Sequence, residues 1–314
     1  MAKRVAVMSV LVLLLAVVVR GATDEEIAGA LALFPYGQDV AVTLSDEGKA
    51  ALEFAIETLE EALGINVLFD HTDEDAYMAL DIEAERKPWV NILSQGYYTL
   101  GDVFFENDDA KKVAFARGQY WGLKSLRMPS TFAEEELRHS FLDAVNQETD
   151  VAALFWTYGN WSRKDEYDPW GAIARNDLPK LEALIDRVFE IDSFYMFHAP
   201  YRALAAFWGG LPSIPLYAYG QNLPRALSYI CPVTNEPDYC TSCGNCPISD
   251  DVVDYFENRL IFAEYYLMEL ELWEEAARVL EDILDDPIGE RFPLYNAYCA
   301  ELAQELLNTV SEKL

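Results

Sequence analysis

Apolar residues recur at helical spacing over most of the chain, most clearly between Val252 and Pro287. The second half of this stretch has one apolar face, made by Trp273, Ala276, Ala277, Leu280, Ile283 and Leu284. The first half has two, made by Val252, Phe256, Leu260, Ala263, Leu267 and Leu270 and by Tyr255, Phe262 and Tyr266. A helix with two apolar faces must be covered on both, as the inner helix of a stacked array is. Because only residues 269–271 separate the halves, the pattern predicts a tight helical hairpin of the tetratricopeptide kind.

The same periodicity predicts helices over most of the chain from residue 45 onwards, and no segment has the pattern of a strand. Residues suited to capping helix N-termini stand before several of these stretches: Ser45, Asp73, Asn107 or Asp108, Thr131, Asp150 and Asp177. The sequence therefore predicts an all-α fold, with stacked helical hairpins forming an α-solenoid. We expect one domain over residues 45–314, with a cysteine-rich loop at 231–249.

The N-terminus has the features of an export signal. Lys3 and Arg4 precede an apolar run, Val5–Val19, and Gly21 provides a small residue for cleavage. These features predict a signal peptide at 1–21, followed by a tether at 22–44 without clear periodicity. The apolar run is short for a membrane span, so membrane attachment would require an uncleaved signal anchor. We expect a periplasmic or otherwise extracytoplasmic protein.

Acidic residues dominate the charge of the chain. Asp and Glu number 54 against 23 Lys and Arg, giving a formal net charge of −31 at pH 7. Such a chain would be repelled by nucleic acid and by an anionic membrane surface, so neither is an expected partner. The charge suits either a basic partner or cation, or a solvated acidic coat that maintains solubility.

Four cysteines lie within a short segment: Cys231, Cys240, Cys243 and Cys246. In an oxidising compartment two disulfides are the first interpretation. The C-x2-C spacing also fits a structural zinc site with four thiolate ligands, and an iron–sulfur cluster is a third alternative. Apart from a structural zinc ion under the second interpretation, no cofactor is expected. Cys299 lies on a helix stripe and is interpreted as a buried apolar residue.

A stretch without charge, from Ala203 to Pro224, is the best candidate for an apolar pocket or channel wall. Small-molecule sites have mostly apolar and aromatic walls with few polar groups. The candidate lining residues, from this stretch and from the aromatic helix before it, are Tyr158, Trp161, Trp208, Tyr217 and Tyr219. The alternative is that these side chains are core and a tight loop.

No catalytic constellation is evident in the sequence. His71, His139 and His198 are scattered, with no HExxH motif and no nucleophile elbow. The protein is therefore expected not to be an enzyme. An α/α-toroid glycosidase that uses two carboxylates is the enzymatic alternative, and it would require two buried acids facing an aromatic-lined cleft.

Several segments together resemble a known family. They are Val151–Trp156 ahead of Trp161, Leu178–Asp192, Tyr219–Leu227, Leu260–Tyr266 and Tyr295–Leu307. In this order the chain resembles the TRAP-transporter-associated tetratricopeptide proteins, the TatT or T-component family, over roughly residues 45–314. The resemblance implies a periplasmic helical-repeat protein that docks on the TRAP substrate-binding P-component and assists uptake of a small organic ligand. It also implies a homo-oligomer, in this family a trimer around a central channel.

The chain departs from the family at one position. Family members are typically lipoproteins, whereas Ala22 stands where the lipidated cysteine would be, so there is no lipobox cysteine. A second interpretation of the whole chain is an exported tetratricopeptide-like scaffold that binds another protein on its concave face.

Overall fold

The computed structural model describes residues 21–66, 68–212, 219–234, 236, 239 and 254–314. Within these ranges the regular structure is helical, which confirms the all-α prediction. The helices are α1 Asp24–Ala32, α2 Asp46–Ala62, α3 Glu74–Met78, α4 Lys87–Thr99, α5 Asp108–Arg127, α6 Ser130–Arg138, α7 Phe141–Gln147, α8 Val151–Glu166, α9 Pro169–Ala174, α10 Leu178–Ile191, α11 Tyr195–Gly210, α12 Leu223–Ile230, α13 Phe256–Phe262, α14 Trp273–Asp285 and α15 Pro293–Ser311. Two of them continue as π-helical turns, α4 through Leu100–Phe104 and α13 through Ala263–Met268.

Helices that are close together in the chain pack against each other, as in an α-solenoid. Helix α4 packs on α5, α5 on α8, α8 on α10, α10 on α11, α11 on α13, and α13 on α14 and α15. The predicted hairpin is present as α13 and α14, with Ala263 and Ala276 fully buried. The apolar periodicity of the sequence thus identified the helices and much of their packing.

Helices α5 and α8 approach each other closely because α5 has glycine at two contact positions. A Cβ atom on Gly122 would lie 2.4 Å from Thr157 Oγ1 and 2.9 Å from Thr157 Cα. Asn160, fully buried on α8, donates through Nδ2 to the Ser94 and Trp156 carbonyl oxygens, each at 2.9 Å. These contacts fix the position of α8 in the array.

The C-terminal helices return to the N-terminal part of the molecule. One core cluster joins Leu52, Leu59 and Leu93 with Tyr255, Phe292 and Tyr295. Tyr255 also donates a hydrogen bond to Asp39, 3.1 Å away. The array therefore curves until its two ends meet.

The segment predicted as a tether is part of this folded body. Thr23 caps α1 with both bonds of a capping box, and Phe34, Val40 and Val42 are buried in the core. The periodicity was unclear here because α1 is short and the chain between α1 and α2 is irregular, contributing only single apolar side chains.

Residues 1–20, and with them nearly all of the predicted signal peptide, lie outside the described ranges. Among the helices described, none combines the length and the apolar character needed to cross a membrane.

Candidate functional site

A cavity of about 590 Å³ lies where the two ends of the array meet. Its wall contains residues from the C-terminal end of α4, from α8, α10, α11, α13 and α15, and from the segment before α2. A volume of this size is in the range of small-molecule binding sites. The helical array thus encloses a candidate ligand site.

Aromatic and aliphatic side chains make up most of the cavity wall. They include Tyr98, Phe155, Trp156, Tyr158, Met196, Phe207, Tyr219, Leu260, Tyr265, Tyr295, Tyr298 and Leu302. Tyr158 and Tyr219, both candidates from the sequence, are among them. Tyr158 donates to the Ala203 carbonyl at 3.2 Å, and Tyr219 donates to Glu182 at 2.8 Å.

The two candidate tryptophans, Trp161 and Trp208, are buried but do not line the described wall of the cavity. Trp208 is buried behind the wall, with its ring stacked on Tyr219 at 6.2 Å and covered by the Arg225 guanidinium at 3.8 Å. Trp161 is buried in the core next to Phe141, with Lys180 over its ring. Neither contributes to the described wall. Tyr217 lies outside the described residues.

The first charged group of the cavity is centred on Arg163. Its Nε donates to Asp102 Oδ1 at 3.1 Å, its Nη2 contacts the same oxygen, and its Nη1 lies 2.9 Å from Glu166 Oε2. Burial lowers the pKa of Arg163, but Asp102 and Glu166 outweigh that effect and hold it well above its ordinary value. Burial raises the pKa of Glu166, with Arg163 opposing it. Arg163 thus forms ion pairs with two carboxylates, those of Asp102 and Glu166.

Glu264, from the π-helical turn after α13, belongs to the same charged neighbourhood. Burial raises the pKa of Glu264 to about 7, Arg163 lowers it, and Glu166, Asp102 and Glu269 raise it further. Its carboxylate forms no hydrogen bond or ion pair within the described ranges, although it lines the cavity. Glu264 is therefore a carboxyl group in a mostly apolar wall, and within the described ranges no side chain pairs with it.

The second charged group is centred on Arg202. Its Nε lies 2.6 Å from Glu257 Oε2, and its guanidinium lies over the Tyr255 ring at 4.5 Å. Nearby, Asp39 accepts the Tyr255 hydroxyl, while its Oδ2 has no partner among the described residues. Burial and then Glu257 raise the pKa of Asp39 to about 7, against the lowering effects of Tyr255 and Arg202.

Three departures from regular backbone converge on the cavity. The π-helical turn after α4 carries Asp102, and the one after α13 carries Glu264 and Tyr265. At the start of α11, Met196, Phe197 and His198 are left-handed, with φ of 48°, 53° and 68°. Such geometry costs free energy and is frequent at functional sites. Because Arg202 donates to the Met196 and Phe197 carbonyls at 3.1 and 2.5 Å, the charged group also stabilises the strained turn.

The charged residues of the site were not identified from the sequence. Asp and Glu are so frequent in this chain that no single one stands out, and the partners are far apart in sequence. The weak signals were an arginine in each of two apolar helices, Arg163 and Arg202, and the Gly209–Gly210 pair. An arginine in such a place requires a carboxylate partner.

Of the candidate metal ligands, only Cys231 lies within the described residues, and it is buried and disulfide-bonded. A disulfide-bonded Cys231 agrees with the disulfide interpretation and cannot serve as one of four thiolate zinc ligands. Cys240, Cys243 and Cys246 lie outside the described residues, so their own bonding remains a prediction. Among the described residues, no group of three or more His, Cys, Asp or Glu is arranged to hold a metal ion. Cys299 is free and buried.

The raised pKa values predict how stability depends on pH. The pKa of Asp39 is 3.8 when exposed and about 7 when folded, and that of Glu264 rises from 4.5 to about 7. Their protonated forms therefore stabilise the fold at low pH, and this contribution is lost as the pH rises towards and through 7. We expect Asp39→Asn to raise the free energy of unfolding at about pH 8 by roughly 1–3 kcal/mol, with a smaller gain near pH 5 and little effect below about pH 4, in denaturant titrations.

Asp285→Asn, the same change at an exposed aspartate of α14, is the matched control and should have little effect at either pH. An Asp39→Asn protein that is less stable than the parent at pH 8 would contradict the assignment, because it would mean that the ionised carboxylate is stabilising.

The chain was compared with known proteins and protein families. No curated protein matches the chain. The family model of the TRAP transporter T-component matches residues 108–215. This range includes α5 to α11, and therefore Arg163 and Arg202 of the cavity. The proteins of that family are components of TRAP transporters, and the match therefore associates this chain with TRAP transport. The resemblance predicted from the sequence is thus confirmed, with residues 108–215 matching the TRAP transporter T-component family.

Proposed function

We propose that this protein is a non-enzymatic T-component that docks on a TRAP substrate-binding P-component and holds a small organic ligand in the cavity. The observation that carries the proposal is the convergence of two π-helical turns and one left-handed turn on a single cavity. A fold maintains several strained segments in one place when the site needs them. The family match gives the transport context.

Docking on the P-component is supported by the family match and by the charge of the chain. A net charge of −31 favours a partner surface with basic residues and would speed their encounter. A periplasmic location, supported by the predicted export signal, would place the two proteins in one compartment. The same resemblance supports self-association as a trimer, which light scattering on the purified protein would measure.

The glycosidase alternative requires two acids able to act on a bound sugar. The cavity does place acids in an aromatic-lined space, but Arg163 holds Asp102 and Glu166, and Arg202 holds Glu257. The acids without a cation partner within the described ranges are Asp39 and Glu264, and different charges shift their pKa values. Binding is therefore better supported than hydrolysis.

The proposal predicts a stable complex with the P-component of a TRAP transporter encoded near this gene. We expect the complex to survive size-exclusion chromatography and to bury at least about 1,000 Å² of surface. Because the chain is so acidic, the association rate should fall when salt is raised from about 50 to about 500 mM. Surface plasmon resonance would measure this dependence.

A P-component from an unrelated TRAP transporter is the control, and it should bind at least about tenfold more weakly. If neither P-component binds at low salt, the docking proposal is wrong, and the alternative of a scaffold for another protein replaces it.

A further inference from the structure

The described wall of the cavity carries more negative than positive charge. In the first group, the carboxylates of Asp102, Glu166 and Glu264 face one guanidinium, that of Arg163. In the second, Asp39 and Glu257 face Arg202. Even with Glu264 protonated, the first group keeps one more negative charge than positive. An anionic ligand would therefore enter a negative field, with no cation free to receive it in the described wall.

Glu264 is the acid of the wall with no hydrogen bond or ion pair within the described ranges, and it is half-buried. Asp102, Glu166 and Glu257 have arginine partners, and Asp39 accepts the Tyr255 hydroxyl. A carboxylate removed from water without a partner is costly, and a cationic ligand would remove that cost. The unpaired carboxylate of Glu264 therefore favours a ligand with a positive charge.

The tyrosine-rich wall of the cavity that Glu264 lines suits the body of an organic cation. Tyr98, Tyr265 and Tyr298 contribute to the same wall, and burial raises the pKa of each well above its ordinary value, so all three remain neutral. Neutral aromatic rings beside a carboxylate are the chemistry that binds alkylammonium groups, because the ring faces attract cations without forming hydrogen bonds. A hydrated metal ion would instead require several converging oxygen ligands.

We infer that the cavity binds an organic cation, an ammonium group with an apolar body, with Glu264 as its counter-ion and the tyrosine-rich wall against its body. This inference rests on the ligand-holding part of the proposed function. It goes further by fixing the charge of the ligand and the residue that recognises it.

The inference predicts an order of affinities among ligands that share one shape. Choline, its uncharged isostere 3,3-dimethylbutan-1-ol and the anion 3,3-dimethylbutanoate have the same branched body. Tetraalkylammonium ions from tetramethyl to tetrapropyl cover the larger sizes that the cavity can admit. In calorimetric titrations we expect the cations to bind at least about tenfold more tightly than the alcohol, and the anion most weakly.

Glu264→Gln keeps the shape of the side chain and removes its charge. We expect this variant to lose about tenfold in affinity for the cations and to bind the alcohol as the parent does. Glu274→Gln, the same change at an exposed glutamate of α14, should leave both affinities unchanged. Unchanged alcohol binding in Glu264→Gln would also establish that its cavity is intact.

The pH dependence gives a second readout. Glu264 faces Arg163 and Glu166 of α8, Asp102 after α4, Glu269 in its own segment, and the neutral Tyr265. A permanently charged cation favours ionised Glu264, so its affinity should rise between about pH 6 and pH 8, and this rise should be absent in Glu264→Gln.

The inference is overturned if the alcohol or the anion binds as tightly as the cations, or if no tetraalkylammonium ion binds saturably. It is also overturned if Glu264→Gln and Glu274→Gln behave alike. These outcomes are independent of docking, because P-component binding is measured separately. Retained docking without cation binding would contradict this inference alone, and cation binding without docking would contradict the docking proposal alone.

Discussion

Replacing Arg202 by methionine is expected to destabilise the protein by about 3–5 kcal/mol, the largest effect we anticipate for a single side chain. The Arg202 side chain is 5% exposed, and its guanidinium binds Glu257, the Asn258 side chain and the carbonyls of the left-handed turn. Without it, Glu257 loses its cation, and the Met196 and Phe197 carbonyls lose their donor. Urea denaturation followed by circular dichroism would measure the change.

Arg278→Met is the matched control, since Arg278 also forms ion pairs, with Glu236 and Asp282, but its side chain is 49% exposed. Surface ion pairs contribute little, so we expect a loss below about 1 kcal/mol. Equal losses in the two variants would mean that Arg202 does not hold the strained turn. The difference between them therefore measures the contribution of its buried setting.

The features predicted correctly from the sequence depend mainly on residues close together in the chain. Ser45, Asn107 and Asp150 cap α2, α5 and α8 through their side chains as predicted. A cap needs only a polar side chain and a backbone amide two or three residues later. The apolar stripes were equally readable, because helical spacing alone decides which residues share a face.

Local predictions were wrong where another residue competes for the same group, or where the helix begins at a different residue. Asp177 was predicted to cap α10, but its carboxylate instead binds Arg175 and Lys180. Glu274 and Arg278 have the i,i+4 spacing of a helical ion pair, yet Arg278 binds Glu236 and Asp282 instead. Thr131 was predicted to cap α6, which instead begins at Ser130 without a side-chain cap. Sequence spacing does not reveal such competitors, since they depend on tertiary packing or on the exact helix boundary.

The site was only partly predictable for a related reason. The uncharged stretch from Ala203 covers part of α11, and Tyr219 from that stretch lines the cavity. The carboxylates were missed because the π-helical turns that direct Asp102 and Glu264 to the cavity have no signal of their own in the sequence. The sequence does contain one related signal, the adjacent glycines Gly209 and Gly210 at the end of α11.

Those glycines explain how α11 reaches the π-helical turn that carries Glu264. A Cβ atom on Gly209 would lie 2.4 Å from the Tyr265 carbonyl oxygen, and one on Gly210 would lie 2.8 Å from the Tyr265 ring. Because the first obstacle is backbone, it cannot move aside as the end of a side chain can. The π-helical turn and the glycine pair are therefore parts of one arrangement.

Replacing Gly209 by alanine is accordingly expected to destabilise the protein by about 1–3 kcal/mol, although alanine is the better helix former. The added methyl group must push α11 away from Tyr265, and the wall around Glu264 should shift with it. Denaturant titration would measure the loss of stability.

Gly29→Ala is the matched control, because Gly29 lies inside α1 with nothing within 4 Å of an added Cβ. There the helix propensity acts alone, and we expect a gain of about 0.5–1 kcal/mol. Opposite signs for the same substitution would identify the contact with Tyr265 as the cause, whereas a gain at both positions would mean that α11 does not press against the π-helical turn.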